Sequence, residues 1–284
     1  MEVGIGLPST IPGVEPETAL RWAKDAEARG FSAIGVVDRL VYPNLDPLTI
    51  LAAAAAVTST VRLVTGVLVA PIRSSAVAFA KQAATIDRLS MGRLVLGVGV
   101  GSRVDDYEAA GVDFHRRGRA FDAQLAEVTS IWRGERPRLG PSPSRNGGPT
   151  LLFGGSSDAA FRRMVTYGAG WFASSGAPSA FIAGRDQALA AWEAAGLADR
   201  PRLVAHCYAG AGRRALSSAN AYLRDYYAHR ADDLDSIVAA CVLGHDAIEE
   251  RLGLLREAGC DEFILTPVDA DPDQVQLMAD AAGL

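Results

Sequence analysis

The chain has 284 residues and a formal net charge of −5, from 28 basic and 33 acidic side chains, with 49% hydrophobic and 21% charged content. This is the balance of a folded globular protein, which excludes disorder over most of the length; the acidic sign and the lack of a basic run argue against a nucleic-acid partner. Three cysteines without a CxxC pair and four histidines without HxxxH or HExxH spacing suggest reduced thiols and no metal site.

Short β-branched runs alternate with longer amphipathic ones. Val3–Leu7 reads as the first strand, followed by a helix from Pro16 to Arg29 with Ala19, Trp22, Ala23 and Ala26 on one face and Gly30 as its stop. Ala33–Val37 and Arg62–Val69 read as the second and third strands, with helices over Pro47–Val57 and Ser75–Leu89 after them. Leu94–Val100 is the fourth strand, followed by an acidic turn (Asp105, Asp106, Glu108) and a helix from Gly118 to Arg133. Residues 134–149 are rich in Pro and Gly and form an irregular excursion. The alternation resumes with strand Thr150–Gly154, helix Asp158–Tyr167, strand Gly170–Ala173 and helix Pro178–Ala195. Arg202–Tyr208 is the seventh strand and Phe263–Thr266 the eighth, with a helix-rich insertion, Ser217–Gly259, between them. A helix over Asp273–Ala282, with Val275, Met278 and Ala282 inward, ends the series.

Eight strand-helix units with no change of composition predict one (β/α)₈ barrel over residues 1–284, with an open doubly wound sheet as the rival. Continuous apolar runs such as Val61–Val69 fit parallel strands buried on both faces. Met1-Glu2-Val3-Gly4-Ile5 lacks the pattern of a targeting segment, and the longest apolar stretch, Ile50–Val57, is too short to span a bilayer. A cytoplasmic protein without a membrane partner is expected.

In a barrel the chemistry sits where strands end and βα loops begin. The fifth strand ends in Gly154-Gly155-Ser156-Ser157 before a helix. Free amides at a helix start, glycines and two hydroxyls suit a phosphate, although the same residues make a plain N-cap. The fourth strand carries Gly97-Val98-Gly99-Val100-Gly101, which reads as side-chain removal at an open mouth beside a planar ligand. Asp38-Arg39 at the end of the second strand is either a local ion pair or a pair in which Asp38 meets a cofactor and Arg39 faces substrate. Arg39 stays protonated, so it can hold an anion but is a poor general base. Gly66 inside the third strand marks a bulge or close approach. His206 and Tyr208 share parity near the end of the seventh strand; His206 is either a proton donor or acceptor, or a core histidine.

Together these residues resemble the bacterial luciferase-like monooxygenase family. The likeness runs through Ala28-Arg29-Gly30-Phe31, Thr65-Gly66-Val67-Leu68-Val69-Ala70-Pro71, Lys81 to Ser90, Gly92-Arg93-Leu94, Leu96 to Gly99, Leu152 to Ser157 and Tyr167 to Phe172. Beyond about residue 174 it is one of layout. The resemblance implies a TIM barrel holding reduced FMN or the 8-hydroxy-5-deazaflavin coenzyme F-420 at its C-terminal mouth, for oxygen insertion or hydride transfer on a small organic substrate. It further implies a cis peptide at Gly66–Val67 and a possible homodimer. The implied cofactor residues are Asp38, Gly66, Val67, Gly99, Gly154, Gly155, Ser156 and Ser157, with Arg39 and His206 as catalytic candidates. Two departures stand out. Arg39 stands where many members carry His, which moves any acid-base role to His206, Tyr208 or water. Val100 stands where flavin-using luciferase subunits carry Arg, which tilts the expectation toward deazaflavin and leaves Arg73 and Arg103 as alternative sources of positive charge. Two other readings stay open: a non-catalytic flavin-binding relative, and a flavin-free lyase or isomerase acting on a phosphorylated substrate. The mouth is expected to be lined by residues 38–46, 70–75, 101–115 and 174–178.

Overall fold

The computed structural model describes residues 1–173 and 178–284, so the Ser174–Ala177 part of the expected mouth lies outside the described residues. Its elements follow the chain as β1 (Glu2–Gly6), α1 (Pro16–Ala28), β2 (Ala33–Val36), α2 (Pro47–Val57), β3 (Arg62–Val69), α3 (Ala76–Leu89) and β4 (Leu94–Gly99). Then come α4 (Val104–Ala109), α5 (Arg117–Trp132), β5 (Thr150–Gly154), α6 (Asp158–Tyr167), β6 (Gly170–Ala173), α7 (Pro178–Ala194) and β7 (Arg202–Gly210). The last are α8 (Ala215–Tyr226), α9 (Leu234–Ala239), β8 (Val242–Leu243), α10 (His245–Glu257), β9 (Glu262–Pro267) and α11 (Asp273–Ala282).

Strands β1 to β7 pair in order and in parallel, β7 pairs β9, and β9 returns to β1, which closes an eight-strand barrel. Each strand is buried inside by the bore and outside by helices. Helix α1 shows how: Pro16 opens it and Ala19, Trp22, Ala23 and Ala26 form the buried stripe facing the barrel. Inside, Ala33, Val64, Val95, Leu152, Phe172, Val204 and Ile264 form a layer with one side chain from each of seven strands. The eighth, β1, contributes Gly4, whose Cβ would lie 3.2 Å from Ala33 Cβ and Ile264 Cγ1.

Residues 134–149 join α5 to β5 at the end of the barrel opposite the mouth. They are held there by the Ser144 amide on Asp87 (2.6 Å) and by Gly148, where a Cβ would lie 2.3 Å from the Trp132 ring. Three expectations are refined. The acidic turn after β4 is the short helix α4. The stretch Ser217–Gly259 is not all insertion, because α10 is the regular crossover helix packed between α7 and α11, while α8, a 3₁₀ stretch (Ala228–Asp233), α9 and β8 form the addition. Strand β8, two residues beside the end of β7, was not foreseen. In α11, Val275 and Met278 point inward as expected, while Ala279 and Ala281 are the buried alanines and Ala282 is half-buried.

Candidate active site

The barrel is least regular at the end of β3. Its register against β4 slips between Thr65 and Leu68, and the Gly66–Val67 peptide is cis, as expected. The local sequence permits this. A Cβ at Gly66 would sit 2.5 Å from Phe172 Cζ, and one at Gly97 would sit 2.1 Å from the Thr65 carbonyl oxygen. The Thr65 hydroxyl donates to the Gly97 carbonyl at 2.7 Å. The displaced Val67 side chain lies 3.1 Å from where a Cβ of Gly99 would be and 3.0 Å from one at Gly154. The fourth-strand glycines therefore make room for the bulge of β3 and do not simply hold the mouth open. At Gly101, whose φ is +64°, Val69 fills the corresponding space.

Above the cis peptide is a cavity of about 270 Å³, with Gly66, Val67, Val69 and Gly101 below and Tyr208, Tyr226, Tyr227, His229 and Arg230 above. Under it, a void of about 10 Å³ beside Phe172, His206 and Thr266 is no larger than one water. The upper residues come from β7 and the α8 insertion, so the insertion roofs the barrel.

Strand β2 ends at Val36, short of the Val69 amide, and Asp38 takes that amide at 2.9 Å while its other oxygen accepts from Arg73 at 3.2 Å. Burial pushes the Asp38 carboxyl up, against the pull of Arg73 and the Val69 amide. Both Asp38 oxygens thus have one partner each within the protein, and the residue still lines the cavity. Arg39 is in the cavity wall, but its side chain is only 3% accessible. Its Nε meets Asp106 at 3.2 Å, its Nη2 donates to the Val41 carbonyl at 2.6 Å, and the guanidinium lies over the Tyr226 ring at 5.2 Å. It supports the wall and faces substrate with almost none of its surface.

His206 lines both the cavity and the small void, with Thr266 Oγ1 3.3 Å from its Nδ1. Burial brings its pKa down to about 4, so near neutral pH it is an uncharged imidazole that can accept or donate one hydrogen bond. His229 contacts Arg103 across the mouth, and burial followed by the Arg103 charge holds it below the ordinary imidazole range.

At the end of β5, Gly155, Ser156 and Ser157 are exposed. Ser157 caps α6 through the Ala160 amide at 3.3 Å, whereas the Ser156 hydroxyl has no partner among the described residues. The first amides of a helix have no intrahelical acceptor, so this turn presents unpaired donors beside Val67, and Asp158 is the one acidic residue in its first turn. The unpaired amides fit a phosphate held by the backbone, while the Asp158 carboxylate opposes an anion there. Neither Arg73, held by Asp38 and Asp46, nor Arg103, held by Asp105, is free to assist.

Two groups escaped the sequence reading. Asp106, 1% accessible, accepts from the Leu40 and Val41 amides and from Arg39, and so shapes the loop after β2. The tyrosines of α8 form an edge-to-face cluster with Tyr42 and Tyr208. The spacing Tyr222, Tyr226, Tyr227 was the available signal.

Fold and site together define a (β/α)₈ barrel whose working end is a roofed cavity over a cis peptide on β3. The chain belongs to the luciferase-like monooxygenase family, whose model matches residues 1–259. Among curated proteins, it is 30% identical over 190 residues to uncharacterized protein Rv0940c of Mycobacterium tuberculosis, an alignment covering 55% of this chain and 65% of that protein. The chain thus spans just under two thirds of that relative's length. Among solved structures, an F420-dependent secondary alcohol dehydrogenase in complex with an F420-acetone adduct superposes with a TM-score of 0.78 at 15% identity, covering 99% and 97% of the two chains. The oxygenating constituent of 3,6-diketocamphane monooxygenase from Pseudomonas putida, in complex with FMN, gives 0.75 at 18% identity, covering 98% and 96%. These identities carry the fold alone, and that fold is the luciferase-like TIM barrel.

Proposed function

We propose that this chain is an oxidoreductase that holds a reduced flavin-type coenzyme, FMN or the deazaflavin F-420, with its ring over Gly66–Val67 and its phosphate on the Gly154–Ser157 turn. The observation that carries the reading is the position of Val67, which lies on the cavity floor and also against Gly154 at the start of the phosphate turn. When bound, the coenzyme supplies the electrons for hydride transfer or oxygen activation. The protein's part is to support the ring from below with Phe172, to shed water under the α8 insertion, and to offer the neutral His206 as a hydrogen-bonding group. The phosphate turn has amides but no free guanidinium, and Val100 adds no charge, which favours the deazaflavin.

Titration of the purified protein with each coenzyme, read by its fluorescence, tests this. Binding is expected at roughly tens of micromolar or tighter. The variant Ser156→Leu is expected to weaken it about tenfold through lost phosphate contacts, without disturbing the Ser157 cap. Absence of binding by both coenzymes would remove the reading. The enclosure of Arg39 supports a second one, a flavin-binding relative without catalysis, which binding without turnover on any carbonyl or alcohol substrate would favour.

A further inference from the structure

The roof of the cavity carries a group that the cofactor reading leaves unused. Tyr208 is fixed on β7, and Tyr227 follows α8; their hydroxyls are 3.0 Å apart. Both side chains line the main cavity, and both also line a second one of about 230 Å³ under α9, with Arg230 shared between the two. Arg230 reaches this place through a break in the 3₁₀ stretch, where its φ and ψ are −117° and 50°. Arg103, which contacts His229 and pairs with Asp105, lines the same cavity.

We propose that the Tyr208–Tyr227 hydroxyl pair in the roof of this cavity binds the ionised oxygen of a planar phenolate-type substrate. Two hydroxyls at this separation give one hydrogen bond to each other. An oxygen anion placed within hydrogen-bond distance of both turns the two protons onto itself, the arrangement of an oxyanion hole. Burial holds both phenols above the ordinary tyrosine range, so each keeps its proton. Arg103 and Arg230 also line the cavity but are already paired with Asp105 and Asp233, so the two hydroxyls carry the recognition of the anion. The stacked Tyr227 and His229 rings, 6.1 Å apart, give the roof flat aromatic surface for a planar ligand. The proposal rests on the reading that the coenzyme ring takes the floor and leaves the roof to substrate.

The test uses the coenzyme-free protein and 4-nitrophenolate, whose visible absorption reports binding directly. Nitrophenolate is expected to bind at least about tenfold more tightly than 4-nitroanisole, which has the same ring without an anionic oxygen, and more tightly than 4-nitrobenzoate. Tyr227→Phe is expected to weaken it about tenfold with an unchanged circular dichroism spectrum and thermal midpoint, and Tyr208→Phe likewise. Equal binding of nitroanisole, preference for nitrobenzoate, or no effect of either substitution in a folded protein would overturn the proposal. So would competitive displacement of nitrophenolate by FMN or the deazaflavin, which would place the probe on the floor. Nitrophenolate binding in a protein that takes up neither coenzyme would uphold the roof site while removing the cofactor reading.

Discussion

One carboxylate fixes where β3 begins. Glu27, in the last turn of α1, accepts from the amides of Ser59, Thr60 and Val61 at 2.8, 2.6 and 3.1 Å and from the Thr60 hydroxyl at 2.9 Å. Burial pushes its carboxyl up, but these donors outweigh it and bring the pKa down to about 2. A folded-state pKa below that of the unfolded chain gives stability that is present above the unfolded value, about 4.3, and is lost as pH falls from there toward the folded value. Because the group is largely open to solvent, Glu27→Gln is expected to cost only about 1 kcal/mol near neutral pH. The deficit should shrink at about pH 3. Urea midpoints of both proteins at the two pH values check this, and an equal deficit at both would refute the linkage. The same kind of remote partner explains what the sequence left hidden at the site. Asp38 and Arg39 were recognisable as strand-end residues, but Asp106 lies 67 positions from Arg39 and Arg73 lies 35 from Asp38. Nothing in the local sequence shows that those charges are already paired.

Elements were legible in proportion to their length and periodicity. The runs Arg62–Val69 and Leu94–Gly99 are apolar on both faces and announce barrel strands, and the α1 stripe announces its helix. Helix α4 spans only six residues and β8 two, too few for a period to register. The Gly154–Ser157 turn was legible as a candidate site because its glycine and hydroxyl residues are contiguous, whereas the tyrosine roof joins β7 to an insertion with little pattern of its own. Two glycines separate the reasons an element carries one. Gly97 lies in β4 against the Thr65 carbonyl, a backbone atom that cannot step aside. Gly97→Ala is expected to cost about 3 kcal/mol or more and to distort the cis floor. Gly253 lies within α10 with nothing within 4 Å of its Cβ position. Gly253→Ala is expected to gain about 0.5–1 kcal/mol through helix propensity. Thermal melts of the two variants should move in opposite directions, and a neutral Gly97→Ala would contradict the account of the bulge.

At the scale of the whole molecule, the barrel is closed at its lower end by charge. Glu2 and Glu262 stand side by side in register on β1 and β9, a like-charge pair that parallel strands alone would disfavour. Arg62 on β3 reaches Glu262 at 2.6 Å and Glu2 at 2.8 Å; Arg202 on β7 meets Glu262 at 3.0 Å and also contacts Glu2. Strands β3 and β9 are separated by β2 and β1, so the Arg62–Glu262 pair spans part of the lower opening and ties strands that do not pair. Glu262 is 2% accessible and takes a further hydrogen bond from Ser32 at 2.6 Å, so its buried carboxylate is held by donors from β3, β7 and the loop before β2. Removing its charge leaves two guanidinium groups facing Glu2 alone, and breaking a buried pair of this kind costs about 3–5 kcal/mol. Glu262→Gln is therefore expected to lower the thermal midpoint by roughly 5–15 °C. Because this network is at the far end from the mouth, the same variant should bind coenzyme and nitrophenolate with wild-type affinity below its midpoint. Calorimetry with both titrations distinguishes the cases: a lost midpoint with intact binding identifies a closure that serves the ring, whereas weakened binding would mean that the lower end helps set the geometry of the upper one.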